Sequence, residues 1–206
     1  MTQNIFCIGR NYEKHIKELH NQRSDKPVVF SKPTHALAAA DGQSIALPSG
    51  QGAVHYETEL VIKMGRDFEP EMQVDDLVDE MAIGLDLTLR DVQQKLKENG
   101  HPWLLAKGFP QSAIISDFFS FPGVEQCNEK TFSLLLNGIK VQEGCIRDMI
   151  FDLDEQIRYI ASHFGLKAGD IIFTGTPAGV GPLSDGDQLV FLWDDTEVGS
   201  CIIVLR

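Results

Sequence analysis

The segment His55-Tyr56-Glu57-Thr58-Glu59-Leu60-Val61-Ile62-Lys63-Met64, followed by Met81-Ala82-Ile83-Gly84-Leu85-Asp86-Leu87-Thr88, decides how this chain folds. Side chains of a strand alternate faces, so Glu57 and Glu59 project from one side, roughly 7 Å apart along the chain. Thr58, Leu60, Ile62 and Met64 form the opposite, largely apolar face. Val61 shares the side of the two glutamates, so that side is not uniformly solvated. Asp86 interrupts a run that otherwise reads as a buried strand, and a buried carboxylate is costly unless a charge partner or a cation compensates it. Three such acids can supply oxygen ligands to one hard divalent cation, Mg2+ or Mn2+, leaving coordination positions for water and substrate. Plainer readings stand beside this one: alternating acids on a solvated sheet face, and an Asp86 that accepts backbone hydrogen bonds or pairs with Arg90.

Working outward, the strands outnumber the helices. Asn4 to Gly9 reads as a short buried strand and Tyr12 to Asn21 as a helix with Tyr12, His15, Ile16 and Leu19 on one face. Val28 to Phe30 is a strand ended by Ser31-Lys32-Pro33, and Thr34 to Gly52 reads as mostly irregular with an Asp41-Gly42 turn. Asp75 to Glu80 suggests a helical turn. Arg90 to Asn99 is a helix capped by Thr88, with Asp91 three residues later, and stopped by Gly100 and Pro102. Asn137-Gly138 between two apolar runs predicts a hairpin. Asp154 to Phe164 is an amphipathic helix ended by Gly165, and strands follow at Asp170 to Thr174, Gln188 to Trp193 and Gly199 to Leu205. Many strands, few helices and no linker or repeat predict one α+β domain over residues 1–206 built on a mixed sheet.

The chain has 206 residues, 43% of them hydrophobic and 23% charged, and a formal net charge of -12. Its length suffices for a substantial core, and its charge argues against a nucleic-acid or anionic-membrane surface while leaving room for a local basic pocket. Cys7, Cys127, Cys145 and Cys201 form no ligand cluster, no leader segment is evident, and no stretch approaches the ~20 apolar residues of a membrane span. A cytoplasmic protein with no membrane partner is the expectation.

Further residues suggest chemistry. His15 and Glu18, three apart on the first predicted helix, are neighbours able to activate water as a hydrogen-bonded pair, although His15 at the core edge and a solvated Glu18 fit the spacing too. Lys107, a cation inside Trp103-Leu104-Leu105-Ala106-Lys107-Gly108-Phe109, either snorkels to solvent or binds a substrate carboxylate or enolate. The run Thr174-Gly175-Thr176-Pro177-Ala178-Gly179-Val180-Gly181-Pro182 follows a strand and lacks a phosphate-loop ending, and its small residues allow backbone amides to approach an anion closely.

These segments together resemble the fumarylacetoacetate hydrolase family across nearly the whole chain. The resemblance is carried by Gly9-Arg10-Asn11-Tyr12 with His15 and Glu18, by Ser31-Lys32-Pro33, by His55 to Glu59, by Gly84 to Thr88 with Arg90-Asp91-Val92-Gln93, by Ala106-Lys107, and by Gly169-Asp170 leading into Thr174 to Pro177. It implies a β-roll of mixed sheets, a homodimer, and Mg2+ or Mn2+ held by Glu57, Glu59 and Asp86. It also implies His15 and Glu18 as the water-activating pair, Lys107 as a catalytic cation, and Arg10, Gln93 and Thr176 as substrate contacts, with Lys32 and His55 as weaker correspondences. The compact form is similar to the acylpyruvase-like branch, whose implied reaction is hydrolysis of a carbon–carbon bond in a small β-diketo acid. Decarboxylation or tautomerisation of oxaloacetate, or isomerisation of an unsaturated diacid, uses the same platform, and a non-catalytic keto-acid binding module is a reading of a different class.

Overall fold

The computed structural model describes residues 2–206. Three sheets make up the fold. The largest, of eight strands, runs in the order Val28–Lys32, Ile5–Gly9, Ile171–Phe173, Thr58–Met64, Val78–Asp86, Ala113–Ile115 and Leu37–Ala39, with Phe119–Ser120 also paired to Val78–Asp86. A five-stranded sheet follows the order Ile139–Gly144, Phe132–Leu136, Gln188–Trp193, Thr196–Leu205 and Asp41–Leu47, and a three-stranded one joins Gly181–Pro182, Val54–Tyr56 and Thr88–Leu89. Parallel pairs (Ile5 with Ile171, Leu37 with Ala113, Ser200 with Asp41) mix with antiparallel ones, as the α+β reading expects.

Alternation along Thr58–Met64 sets the layers. Leu60, Ile62 and Met64 enter the large core, where Phe132 and Phe191 of the five-stranded sheet meet them. Val61 enters a smaller cluster on the other side with Cys7, Ile171 and Phe173. Glu59 shares the parity of Val61, so the acids belong to the side of the smaller cluster, where fewer apolar side chains compete for the space.

Local signals account for several elements. Asn137 and Gly138 have φ of 51° and 81°, the left-handed pair of a tight hairpin between Phe132–Leu136 and Ile139–Gly144. Asp152 and Glu155 form a capping box at the start of the Leu153–Phe164 helix, and Gly165 ends it at φ 74°.

Other expectations need correction. The segment from 34 to 52 is not mostly irregular: Leu37–Ala39 and Asp41–Leu47 are strands whose partners, Ala113–Ile115 and Thr196–Leu205, lie far along the chain, so no local pattern announced them. The first helix covers only Glu13–Glu18, because His20 turns into the left-handed region at φ 51°. Ser31 and Lys32 lie inside the second strand rather than ending it. Val74–Leu77 is the helical turn expected near residue 75, and Val78 already begins the next strand. The helix Arg90–Glu98 has no side-chain cap: Thr88 sits in a two-stranded pairing with His55, and the Asp91 carboxylate accepts the backbone N–H of Ala53. The acidic segment is also two strands rather than one, broken at Glu57 between Val54–Tyr56 and Thr58–Met64.

Candidate active site

Strand register brings the three acids together. Thr58 pairs with Leu85 and Glu59 with Gly84, and the Asp86 N–H donates to the Glu57 carbonyl at 2.9 Å, which sets Asp86 beside the break at Glu57. Glycine is needed opposite Glu59, since a Cβ on Gly84 would stand 2.9 Å from both Phe173 and Val61. Glu57, Glu59 and Asp86 are 5%, 2% and 1% exposed, and each offers a carboxylate oxygen within 4.8 Å of the others'.

Cations surround them. Lys107 Nζ donates to Glu57 Oε2 at 2.7 Å and to Asp86 Oδ2 at 2.5 Å, and Arg90 Nη2 meets Glu57 Oε1 at 2.5 Å. Lys32 Nζ lies 2.7 Å from Asp86 Oδ1 but outside hydrogen-bond geometry, so that oxygen has a charge beside it and no donor aimed at it. The structure thus overturns two of the plainer alternatives: Arg90 serves Glu57 rather than Asp86, and Lys107, with a side chain 3% exposed, does not snorkel to solvent.

Charge is distributed unevenly among the acids. Burial pushes the Glu57 carboxyl up, but Lys107, Arg90 and His15 outweigh it and hold the group well below the usual carboxylate range. Glu59 accepts one backbone N–H, from Gly175 at 2.8 Å, and burial together with the charge of Asp86 raises its pKa well above the ordinary value. Lys107 loses by burial and gains more from Asp86 and Glu57, so it stays firmly protonated.

Of the remaining sequence candidates, Arg10, His15, Gln93 and Thr176 line one cleft with Lys107 and the three acids. His15 Nδ1 stands 3.3 Å from Glu18 Oε2; because a carboxylate only accepts, Nδ1 carries the proton and Nε2 keeps its lone pair. Burial lowers the His15 pKa despite the opposing influence of Glu57 and Glu18, which keeps the ring neutral. Glu18 is itself held by the Gly179 N–H, at 3.0 and 3.2 Å from its two oxygens. His55, half-buried in the three-stranded sheet, has a buried Nδ1 with no hydrogen bond and does not line the cleft.

Some contributors were missed in the sequence. Lys97 and Trp103 line the cleft, and Lys97 lies seven residues after Arg90 and four after Gln93, a helical spacing that could have found it. Gln142 could not have been found that way. It reaches over from the five-stranded sheet, accepts the Thr58 N–H at 2.8 Å and donates to Thr176 Oγ1 and the Pro177 carbonyl at 2.9 Å each.

The donor set fits a divalent cation. Three buried carboxylates, one with an oxygen that receives no hydrogen bond and one whose ionisation is disfavoured, form an oxygen-only pocket that demands positive charge. Lys107 answers part of that demand by bridging two of them.

Comparison with known proteins agrees with this geometry. The family model described as "Fumarylacetoacetate (FAA) hydrolase C-terminal" matches residues 4–202. The oxaloacetate tautomerase YcgM of Escherichia coli is 43% identical over 195 residues, covering 92% of this chain and 88% of that protein. The human mitochondrial oxaloacetate tautomerase FAHD1 is 39% identical, with 91% and 85% covered. Among solved structures, fumarylpyruvate hydrolase from Pseudomonas aeruginosa in complex with Mn2+ and pyruvate superposes with a TM-score of 0.91 at 33% identity, covering 100% of this chain and 91% of the other.

Proposed function

This chain belongs to the fumarylacetoacetate hydrolase family, and from that premise we propose that it is a divalent-metal-dependent enzyme acting on a small 2-oxo acid, with keto–enol tautomerisation of oxaloacetate as its reaction. The observation that carries the proposal is the buried trio Glu57, Glu59 and Asp86, with oxygens within 4.8 Å of one another and Lys107 bridging two of them. Similarity to two oxaloacetate tautomerases supports the choice of substrate.

Glu57, Glu59 and Asp86 would hold Mg2+ or Mn2+, which supplies polarisation of the substrate's 2-oxo group. The chain's own residues do the rest. Lys107 and Arg90 set positive charge where negative charge develops on the C2 oxygen as a C3–H bond breaks. His15, neutral and with Nε2 free, takes the C3 proton and passes it to the C2 oxygen to complete the enol, the reverse path carrying it back to C3, while Glu18 fixes the ring and stabilises its protonated form. Gln93, locked by the Arg90 guanidinium at 2.7 Å, and Thr176, held against the Thr58 carbonyl at 2.9 Å, orient the substrate.

Hydrolysis of an acylpyruvate is the second reading, and the His15–Glu18 pair favours it, since a neutral imidazole backed by a carboxylate equally serves to deprotonate water. The fumarylpyruvate hydrolase neighbour is consistent with it. The test is a panel of oxaloacetate enol, oxaloacetate keto form and acylpyruvates, each with Mg2+, with Mn2+ and with chelator. Metal-dependent acceleration of enol decay without loss of carbon dioxide supports the tautomerase. Release of pyruvate from acylpyruvates at a higher kcat/KM selects the hydrolase, and full activity in chelator rules out both.

A further inference from the structure

The cations of the cleft divide into two sets. Lys32, Arg90 and Lys107 each meet a carboxylate of the acid trio. Arg10 and Lys97 line the same cleft, yet among the described residues neither has a carboxylate oxygen within 4.0 Å. Their contacts are neutral: Lys97 Nζ donates to Asn21 Oδ1 at 3.0 Å, while Arg10 Nη1 reaches the Gln22 carbonyl at 3.5 Å and its guanidinium lies 5.9 Å from the centroid of the Trp103 ring.

Their placement is specific. Arg90, Gln93 and Lys97 follow one another at three and four residues on one face of the Arg90–Glu98 helix, a ladder that starts at Arg90 against Glu57 and continues along the cleft lining. Arg10 is held at φ 61°, a conformation that side-chain-bearing residues rarely adopt and that tends to persist where the surroundings require it.

We propose that Lys97, with Arg10, forms a subsite for the second carboxylate of a dicarboxylic 2-oxo acid and thereby selects diacids over monoacids of the same length. The proposal rests on the cleft being a 2-oxo acid site, and adds where the far end of the substrate lies and which residue reads it. The lowered pKa of Lys97, due to burial and then to repulsion by Arg10 and Arg90, agrees with positive charge awaiting an anion. The subsite also gives this acidic protein a local attraction for a dianion at the cleft.

The test compares malate with 2-hydroxybutyrate, two stable acids that share the 2-hydroxy acid head and differ at C4 by a carboxylate against a methyl group. Binding of each to the Mn2+-loaded protein is measured by calorimetry for the native chain, Lys97→Met and Lys97→Arg. The native chain is expected to prefer malate at least tenfold. Lys97→Met should remove about tenfold of malate affinity and leave 2-hydroxybutyrate unchanged, and Lys97→Arg should restore the preference. Equal affinities in the native chain, or equal losses for both acids in Lys97→Met, overturn the proposal. If Lys97→Met fails to fold, salt decides in the native chain: the malate preference must shrink as ionic strength rises, and a preference indifferent to salt overturns it. Oxaloacetate turnover is followed in parallel. A Lys97-dependent diacid preference without turnover removes the catalytic reading and keeps the subsite, whereas turnover without that preference does the opposite.

Discussion

The acid trio and His15 line the same cleft, yet the frame of the trio differs from that of the His15–Glu18 pair. Glu59 and Asp86 lie on strands paired on both sides and Glu57 at the break beside them, all at most 5% exposed, with lysine and arginine charges against Glu57 and Asp86. His15 and Glu18 ride on a six-residue helix without a side-chain cap, and the Glu18 side chain is 31% exposed and tethered by the N–H of Gly179. A helix that short has little stability of its own and depends on its packing. The two tasks ask for different frames. Holding several like charges in a low-dielectric interior requires fixed partners, because each misplaced ångström leaves charge uncompensated. Proton transfer requires one neutral base with a free lone pair and tolerates a lighter frame.

Substitution at Glu59 should break the first frame most completely. Glu59→Gln keeps the shape and removes a ligand charge, so Mn2+ affinity should fall by at least ~100-fold and metal-dependent turnover should reach background; Mn2+ titration followed by electron paramagnetic resonance checks this. Because burial already disfavours the ionised carboxyl, the variant should unfold no more easily than the native chain. A large loss of stability instead would mean that the carboxylate, and not the site's need for a cation, organises this region.

Lys107→Met strips Glu57 and Asp86 of their shared partner and should cost about 3–5 kcal/mol in urea unfolding. Added Mn2+ should recover part of that loss, since a cation replaces the missing charge. Indifference of the variant to Mn2+ would count against a metal at the trio.

On the lighter side, Glu18→Gln should lower kcat by ~100-fold or more while changing stability by less than ~1 kcal/mol. If its unfolding curve moved as far as that of Lys107→Met, the contrast between the two frames would be wrong.

The smallest effect is on pH. Burial lowers the His15 pKa below its ordinary value near 6.5, so the imidazole stays neutral to lower pH in the folded chain than in the unfolded one. Its contribution to stability is therefore complete above pH 6.5 and is lost as the pH falls through that value toward the folded-state pKa. The acid limb of kcat should lie below pH 6.5 and should vanish in His15→Gln; an acid limb above pH 6.5 contradicts the assignment of His15 as base.

Much of the fold was legible because it rests on short-range rules. The period of two in Thr58–Met64 put Leu60, Ile62 and Met64 in one core and Glu59 on the other side, as observed. The Asn137-Gly138 hairpin followed from turn chemistry, and the helix expected over Asp154 to Phe164 followed from its amphipathic pattern and the Gly165 stop. Leu37–Ala39 and Asp41–Leu47 escaped because their partners lie more than 70 residues away in parallel ladders that leave no turn signature between them. Lys97, in the cleft, carried a helical spacing that was readable and passed over, whereas the reach of Gln142 from another sheet to Thr58 and Thr176 carried none.

From its sequence alone this chain settled which groups were available: three acids in strand-forming runs, a histidine three residues from a glutamate, and the motifs of a family. Tertiary structure decided which charges meet. Arg90 went to Glu57 rather than Asp86, Lys107 was buried between two acids, and among the described residues Arg10 and Lys97 were left without one. Side-chain alternation is a property of each strand and travels with the residues, but the balance of charge inside a cleft depends on distances of a few ångströms between segments far apart in the chain, and those exist only once the sheets have paired.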